Sequence, residues 1–411
     1  MLLPDVYLFN PTCDFAAGNT SASWQANRVL QQMERDMANL PQFLCQLKDI
    51  VVVQNQPSQQ LINLLSEAGF ALPQFRTLNE LTTANYFNRI CPWGWSPATH
   101  QFFKPIKPLC SREFLSSATG EWKPEHRELY SRKTALQFLL ILLSENKEKS
   151  FIGQELLPRV CKSVWEVEQM ANKWEQLMVK LPWSSSGRGL QPVTKFPLHQ
   201  SVRQRISGML KNQGEVFVEP LLLKVFDLGY LYEITPDKVK WLGPSLFFTD
   251  EKGQYKGNYL NGLPSDISDE LSLFIKEALE IIPPIHINLL NQAEIRKLYQ
   301  GPIGIDTLIY RNIEGELKIN PCLEINWRFT MGRVALNLEQ YLHKGAKAIF
   351  RTYYDNKIPF SVFADEKIKQ LPLKLSDCKI SSGLIPLTEI SEESIFGAYL
   401  SVVNSPGFQS F

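Results

Sequence analysis

The sequence predicts an α/β chain: a parallel α/β lobe at the start, an α+β region through the middle and a small β-rich tail. Three observations lead to this. Buried-strand patterns alternate with helical periodicity up to Gly69. Strand patterns then crowd between Glu215 and Leu260. Two further apolar strands, at 303–311 and 316–326, carry an aspartate and a Glu-x-Asn pair. At 411 residues the chain is too long for one core.

Val6-Tyr7-Leu8-Phe9 reads as a buried strand, and the polar run Asn10-Pro11-Thr12-Cys13-Asp14 follows it. Polar residues at a strand's carboxyl end are where α/β sheets bind ligands. Helical spacing covers about 27–47 with a break at Pro41, and 49–54 is a second buried strand. Residues 58–68 form a helix stopped by Gly69. This alternation predicts parallel pairing. Residues 91–124, with Trp93-Gly94-Trp95, read as a loop-dominated junction. Helices are expected at 131–143, 163–176 and 198–212, the last a surface helix with Arg203, Arg205 and Lys211. Further helices are expected at 268–281 and 285–299, on either side of Pro283-Pro284, and at 333–350. The tail, 357–411, alternates apolar and polar residues with Pro and Gly, as small β structure does.

A net charge of +1 gives no reason to expect nucleic acid or a membrane surface as partner. No apolar run is long enough to span a bilayer. Met1 to Asp5 has no basic segment or long apolar core, so no signal peptide is expected. The seven cysteines lack Cys-x-x-Cys spacing, which predicts reduced thiols in a cytoplasm. The five histidines show no metal-ligand spacing.

The chemistry concentrates in three motifs. In Gly304-Ile305-Asp306 … Cys322-Leu323-Glu324-Ile325-Asn326-Trp327-Arg328, Glu324, Asn326 and Arg328 share one strand face. Two carboxylates and an amide oxygen from neighbouring strands make a hard, all-oxygen site suited to Mg²⁺. Arg328 adds a planar fork for an anionic oxygen. Leu177-Met178-Val179-Lys180 is a strand that ends in a lysine and opens into Ser184-Ser185-Ser186-Gly187-Arg188-Gly189. A lysine supplies phosphate with a point charge, and glycines let backbone N–H groups approach. The order differs from a P-loop, because the lysine precedes the glycines. In Val216-Phe217-Val218-Glu219-Pro220-Leu221 an apolar strand reaches an acidic residue, an edge suited to hydrogen-bonding an adenine.

A lysine strand, a small-residue loop, a Val-Glu edge and then Asp … Glu-x-Asn, in that order, resemble the ATP-grasp family over roughly residues 130–345. The resemblance implies an ATP-grasp fold, in which two α+β subdomains sandwich ATP behind an N-terminal lobe that carries part of the substrate site. The expected division is 1–125 for that lobe, 126–350 for the ATP-grasp domain with a lid at about 176–235, and 351–411 for a β-rich appendage. By the resemblance, Lys180 contacts the α- and β-phosphates, and the loop from Ser184 through Ser185, Ser186 and Gly187 to Gly189 closes over them. Glu219 and the backbone near Leu221 read the adenine, and Asp227 is the candidate for the ribose hydroxyls. Asp306, Glu324 and Asn326 bind Mg²⁺, two ions in all, and Arg328 steadies the transferring phosphoryl group. Lys133, in Ser131-Arg132-Lys133, is the candidate for the family's earlier phosphate-binding lysine.

Simpler readings stand beside these. Single strand carboxylates often face solvent, a strand-end lysine often snorkels, and a glutamate before proline is often a loop residue. Trp93 and Trp95 suit packing at a junction. Asn10, Asp14 and Asn19 are either substrate contacts or turn formers. The function implied is an ATP- and Mg²⁺-dependent ligase joining a carboxylate to an amine or thiol through an acylphosphate. The alternatives are a small-molecule kinase and a non-catalytic nucleotide-binding protein.

Overall fold

The computed structural model describes residues 3–83, 86–184, 189–251 and 253–403. The first lobe is built on four short parallel strands. Their spatial order is Gln74–Arg76, Ile50–Val52, Val6–Leu8, Ile90–Pro92. The first three strands add outward in one direction, and the fourth returns to the other side of Val6–Leu8. The loops after Val6–Leu8 and Ile90–Pro92 therefore part and leave a crevice at the carboxyl edge of the sheet. The Ile90–Pro92 strand lies within the expected loop junction, where three residues are too few to show alternation. Short helices, Pro97–Phe102 and Arg112–Leu115, occupy more of that stretch. Helices Arg28–Asp36 and Gln59–Glu67 start at Asn27 and Ser58, whose side chains accept from Leu30 and Leu61 N–H as N-caps.

Nine antiparallel strands form the central sheet. From one edge to the other they run Leu317–Asn326, Gly301–Arg311, Leu223–Ile234, Val239–Thr249, Tyr255–Leu260, Lys347–Tyr354, Phe396–Val403, Lys379–Pro386 and Lys374–Ser376. On one face Tyr230, Tyr232, Ile303 and Ile305 pack with helices Arg132–Glu145 and Asp269–Leu290 in the largest core. The other face carries helix Met331–Leu338. Its Val334, Ala335 and Leu338 share a core with Tyr7, Phe9, Val51, Phe350, Ala398 and Leu400. The tail is β-rich, as expected. Its strands extend the central sheet, and their inward residues complete the core of the first lobe.

A separate four-stranded antiparallel sheet, ordered Arg159–Cys161, Val216–Pro220, Leu177–Lys180, Leu190–Val193, has its own core of Val167, Trp174, Leu177, Val179, Ile206 and Val218. Its strands lie within 159–220. The next strand, Leu223–Ile234, pairs into the central sheet, because Tyr230 and Tyr232 bury there.

Two helix expectations are corrected. Asp269–Leu290 runs unbroken through Pro283 and Pro284. An interior proline costs about 3 kcal/mol or more. Leu271, Ile275, Ala278, Ile282, Leu289 and Leu290 bury along the helix, at about 1.5–3 kcal/mol for each large side chain, and outweigh that cost. The expected helix at 333–350 stops at Leu338. After a turn at Gly345 (φ +83°) the chain enters the strand Lys347–Tyr354. One partner of that strand, Phe396–Val403, lies far along the chain, so the pairing leaves no local trace. Among the described residues no helix is long and apolar enough to cross a membrane.

His286 is fully buried on the proline-containing helix. Its Nε2–H donates to Pro321 O (2.8 Å) and its Nδ1 accepts from Tyr232 Oη (2.9 Å). Burial pushes its pKa down from 6.5 to about 3, although the Pro321 contact opposes the shift. Between those values the unfolded chain takes up a proton that the folded chain refuses, so stability falls as pH falls through that window. His286→Phe removes this contribution. Chemical denaturation across pH 6.5 to 3 is expected to show a shallower decline in the variant than in wild type, by up to about 1.4 kcal/mol per pH unit. Parallel slopes contradict the assignment.

Candidate functional site

Asp306 and Glu324 sit directly opposite each other on the paired strands Gly301–Arg311 and Leu317–Asn326, with Gly304 opposite Asn326. A register shift just beyond Asp306 separates this end of the ladder from the hairpin tip. Asn326 Nδ2 donates to Asp306 Oδ2 (2.9 Å). Arg328 Nη2 donates to Asn326 Oδ1 (2.7 Å), and Arg328 Nε donates to Asp14 Oδ2 (2.8 Å). The four residues Asp306, Asn326, Arg328 and Asp14 thus form one chain of contacts from the central sheet to the first lobe. Burial, then the facing Glu324 carboxylate, pushes the Asp306 pKa up to about 7. Burial works against the Arg328 charge, but Asp14, Cys13 and Glu324 together more than offset it and hold the guanidinium protonated above its usual range.

This pair is frustrated unless a proton or cation sits between the carboxylates. The next strand packs close beside it. Gly229 lies opposite Asp306 on the next strand, where a Cβ would stand 3.2 Å from Ser245 Cβ and 3.5 Å from Asp306 Oδ1. Among the described residues no three His, Cys, Asp or Glu side chains cluster to hold a metal. The chain therefore offers two carboxylates and an amide, which fits a hard cation such as Mg²⁺ that completes its shell with water and substrate oxygens.

Lys180 ends its strand buried and ion-paired with Glu219 on the neighbouring strand. Ser184 is buried at the start of the loop. Gly189 closes the loop with φ +80°, and its carbonyl accepts from Leu181 N–H (3.0 Å). That backbone conformation favours glycine. Ser185, Ser186 and Gly187 lie outside the described residues. Asp227 is two residues from Gly229 and so shares the Asp306 face; it accepts from Lys224 Nζ (2.9 Å) and Thr249 Oγ1 (3.0 Å). The Leu221 side chain is 37% exposed, and its N–H already donates to Gln176 O (2.9 Å).

Lys133 is exposed and does not join the cluster. Its neighbour Arg132 does, and sequence reasoning missed it. Arg132 Nη1 meets Glu324 Oε2 at 3.1 Å, Nε donates to Leu181 O (3.0 Å) and Nη2 donates to Ser184 Oγ (3.3 Å). One guanidinium fork therefore ties Glu324 to the loop that follows Lys180. The signal was present in the periodicity. Arg132 falls on the same helical stripe as buried Ala135, Leu139 and Leu142, whereas Lys133 is turned about 100° away. Asp14, read as a turn former or substrate contact, is the partner of Arg328. Trp93 is buried, packing edge-on against Phe9 (4.9 Å) and beside Phe329 (6.1 Å), as suits a junction.

No protein-family model matches the chain, and no curated protein matches it in sequence. Solved structures do match. Pyruvate carboxylase of Rhizobium etli, T882A with acetyl coenzyme-A, is 10% identical with a TM-score of 0.53, over 99% of this chain and 36% of that one. N5-carboxyaminoimidazole synthetase of Staphylococcus aureus is 11% identical, with a TM-score of 0.47, over 98% and 96%. Biotin carboxylase of Campylobacter jejuni is 11% identical, with a TM-score of 0.47, over 98% and 88%. At these identities the likeness concerns fold alone, and the pyruvate carboxylase match carries it: the chain has the ATP-grasp fold.

Proposed function

We propose that this chain is an ATP- and Mg²⁺-dependent ligase that joins a carboxylate to an amine or thiol through an acylphosphate. The observation that supports this best is the facing pair Asp306 and Glu324, tied by Arg132 to the loop that follows Lys180. A cation site and a phosphate-binding lysine lie in separate sheets, and one side chain spans the gap between them.

In this reading Asp306, Glu324 and Asn326 would hold Mg²⁺, whose charge would offset that of the phosphates. Lys180 leaves Glu219 for the α- and β-phosphates, freeing Glu219 to accept from the adenine amino group beside Leu221. Asp227 accepts from the ribose hydroxyls. Ser184, Gly189 and the residues between them cover the phosphates and exclude water, which would otherwise hydrolyse the acylphosphate. Arg328, held at one end by Asp14, presents its charge where negative charge builds up during transfer. Arg132, which already reaches Glu324, Leu181 O and Ser184 Oγ, takes the phosphate-side position expected of Lys133. No nucleophilic side chain is required, because position and electrostatics supply the rate.

Two measurements test the reading. Glu324→Ala is expected to abolish ATP-dependent turnover and to weaken Mn²⁺ binding, followed by electron paramagnetic resonance, at least tenfold; a variant that binds Mn²⁺ like wild type removes Glu324 from the cation site. Lys180→Ala is expected to weaken binding of a non-hydrolysable ATP analogue about 10- to 100-fold by calorimetry, about 1.4–2.8 kcal/mol. Unchanged affinity would show that the lysine serves only its pair with Glu219.

A further inference from the structure

The roles above leave unused a cavity of about 600 Å³ in the first lobe. It opens at the carboxyl edge of the parallel sheet, where strand order reverses between Val6–Leu8 and Ile90–Pro92. Asn10 and Thr12 line it from the first loop, Ser96 and Phe102 from the fourth, and Trp24 and Glu34 from the segment between. The volume suits a small metabolite or a short peptide.

Among the described residues Glu34 is the only carboxylate on the wall. Thr12 Oγ1 donates to its Oε1 at 2.5 Å and fixes its direction. Burial raises its pKa, with the Thr12 contacts opposing the shift. Among the described residues no Lys, Arg or His comes within the 4.0 Å of an ion pair to it. Arg35, a basic residue on the wall, is exposed and donates to Gln32 Oε1 (2.6 Å) instead. A partly desolvated carboxylate without a counter-ion is unfavourable, and a ligand that brings a cation relieves it. The remaining polar groups named are an amide and hydroxyls, with no second carboxylate to hold a metal. Trp24 and Phe102 add aromatic surface, which attracts organic cations.

The cavity also adjoins the reacting end of the cluster. Cys13 is in its wall, and the next residue, Asp14, holds Arg328. Gly94 lies beside both, and a Cβ there would clash with Cys13 Sγ and crowd Arg328 Cβ.

We infer that this cavity holds the second substrate through a primary ammonium group, with Glu34 as its counter-ion. The word substrate rests on the ligase reading; the ammonium site itself does not.

The probes are the common L-amino acids and a fixed set of dipeptides, each compared with its N-acetyl form by calorimetry against the full chain. At least one free amine is expected to bind, its N-acetyl form at least tenfold more weakly. Glu34→Gln is expected to cost the amine at least tenfold and the N-acetyl form little. Ala98→Leu, which grows into the cavity from helix Pro97–Phe102, is expected to weaken both. It keeps the test open if Glu34→Gln misfolds, which circular dichroism checks. No binding by any probe, equal binding of free and acetylated forms, or equal binding to wild type and Glu34→Gln overturns the inference. A separate titration with the ATP analogue distinguishes the two readings: amine binding without nucleotide binding sinks the ligase and keeps the site.

Discussion

Asp306 and Glu324 face each other on adjacent antiparallel strands, and their surroundings are organised around the difficulty of keeping two like charges there. Asn326 donates to one carboxylate and Arg132 pairs with the other. Arg328 in turn holds Asn326 in the orientation that turns its amide nitrogen to Asp306. Even so, burial and the facing Glu324 hold the Asp306 carboxyl well above its usual pKa. Such a site accepts a cation at little cost, because the repulsion is already present and the ladder already holds the oxygens in place.

Arg132 gives the pair its reach. A guanidinium has several donors in a rigid plane, and here they are divided between a carboxylate on the central sheet and a carbonyl and a hydroxyl in the loop after Lys180. A lysine at that position has one nitrogen and could not span them. A change in charge at Glu324 is therefore felt at Leu181 and Ser184 through one side chain.

What could be read in the sequence divides by the range of the interaction. Alternation along a strand is local, so the shared face of Glu324, Asn326 and Arg328 was legible, as were the strand ending at Lys180 and the first two parallel strands. Asp14 was legible only as a turn former or a substrate contact, because its partner is 314 residues away. Motif order points to Lys133, and Arg132 stands out only when the helical phase is read. Pro283-Pro284 was read as a break because the burial that overrides it comes from strands elsewhere in the chain. Gln74–Arg76 and Ile90–Pro92 were too short to show a period.

The second core joins the beginning of the chain to its end. Asn39 and Gln42 both donate to Leu387 O (3.1 and 3.0 Å), and the Asp36 carboxylate accepts from the N–H groups of Ile395 and Phe396 (3.0 and 3.1 Å). Loop closure over such separations is slow, and these contacts form only after the intervening chain exists. During synthesis the first lobe therefore leaves the ribosome with Asp36, Asn39 and Gln42 lacking these partners until residues 387–396 have been translated. That interval is when the nascent protein is most exposed to aggregation and in greatest need of a chaperone.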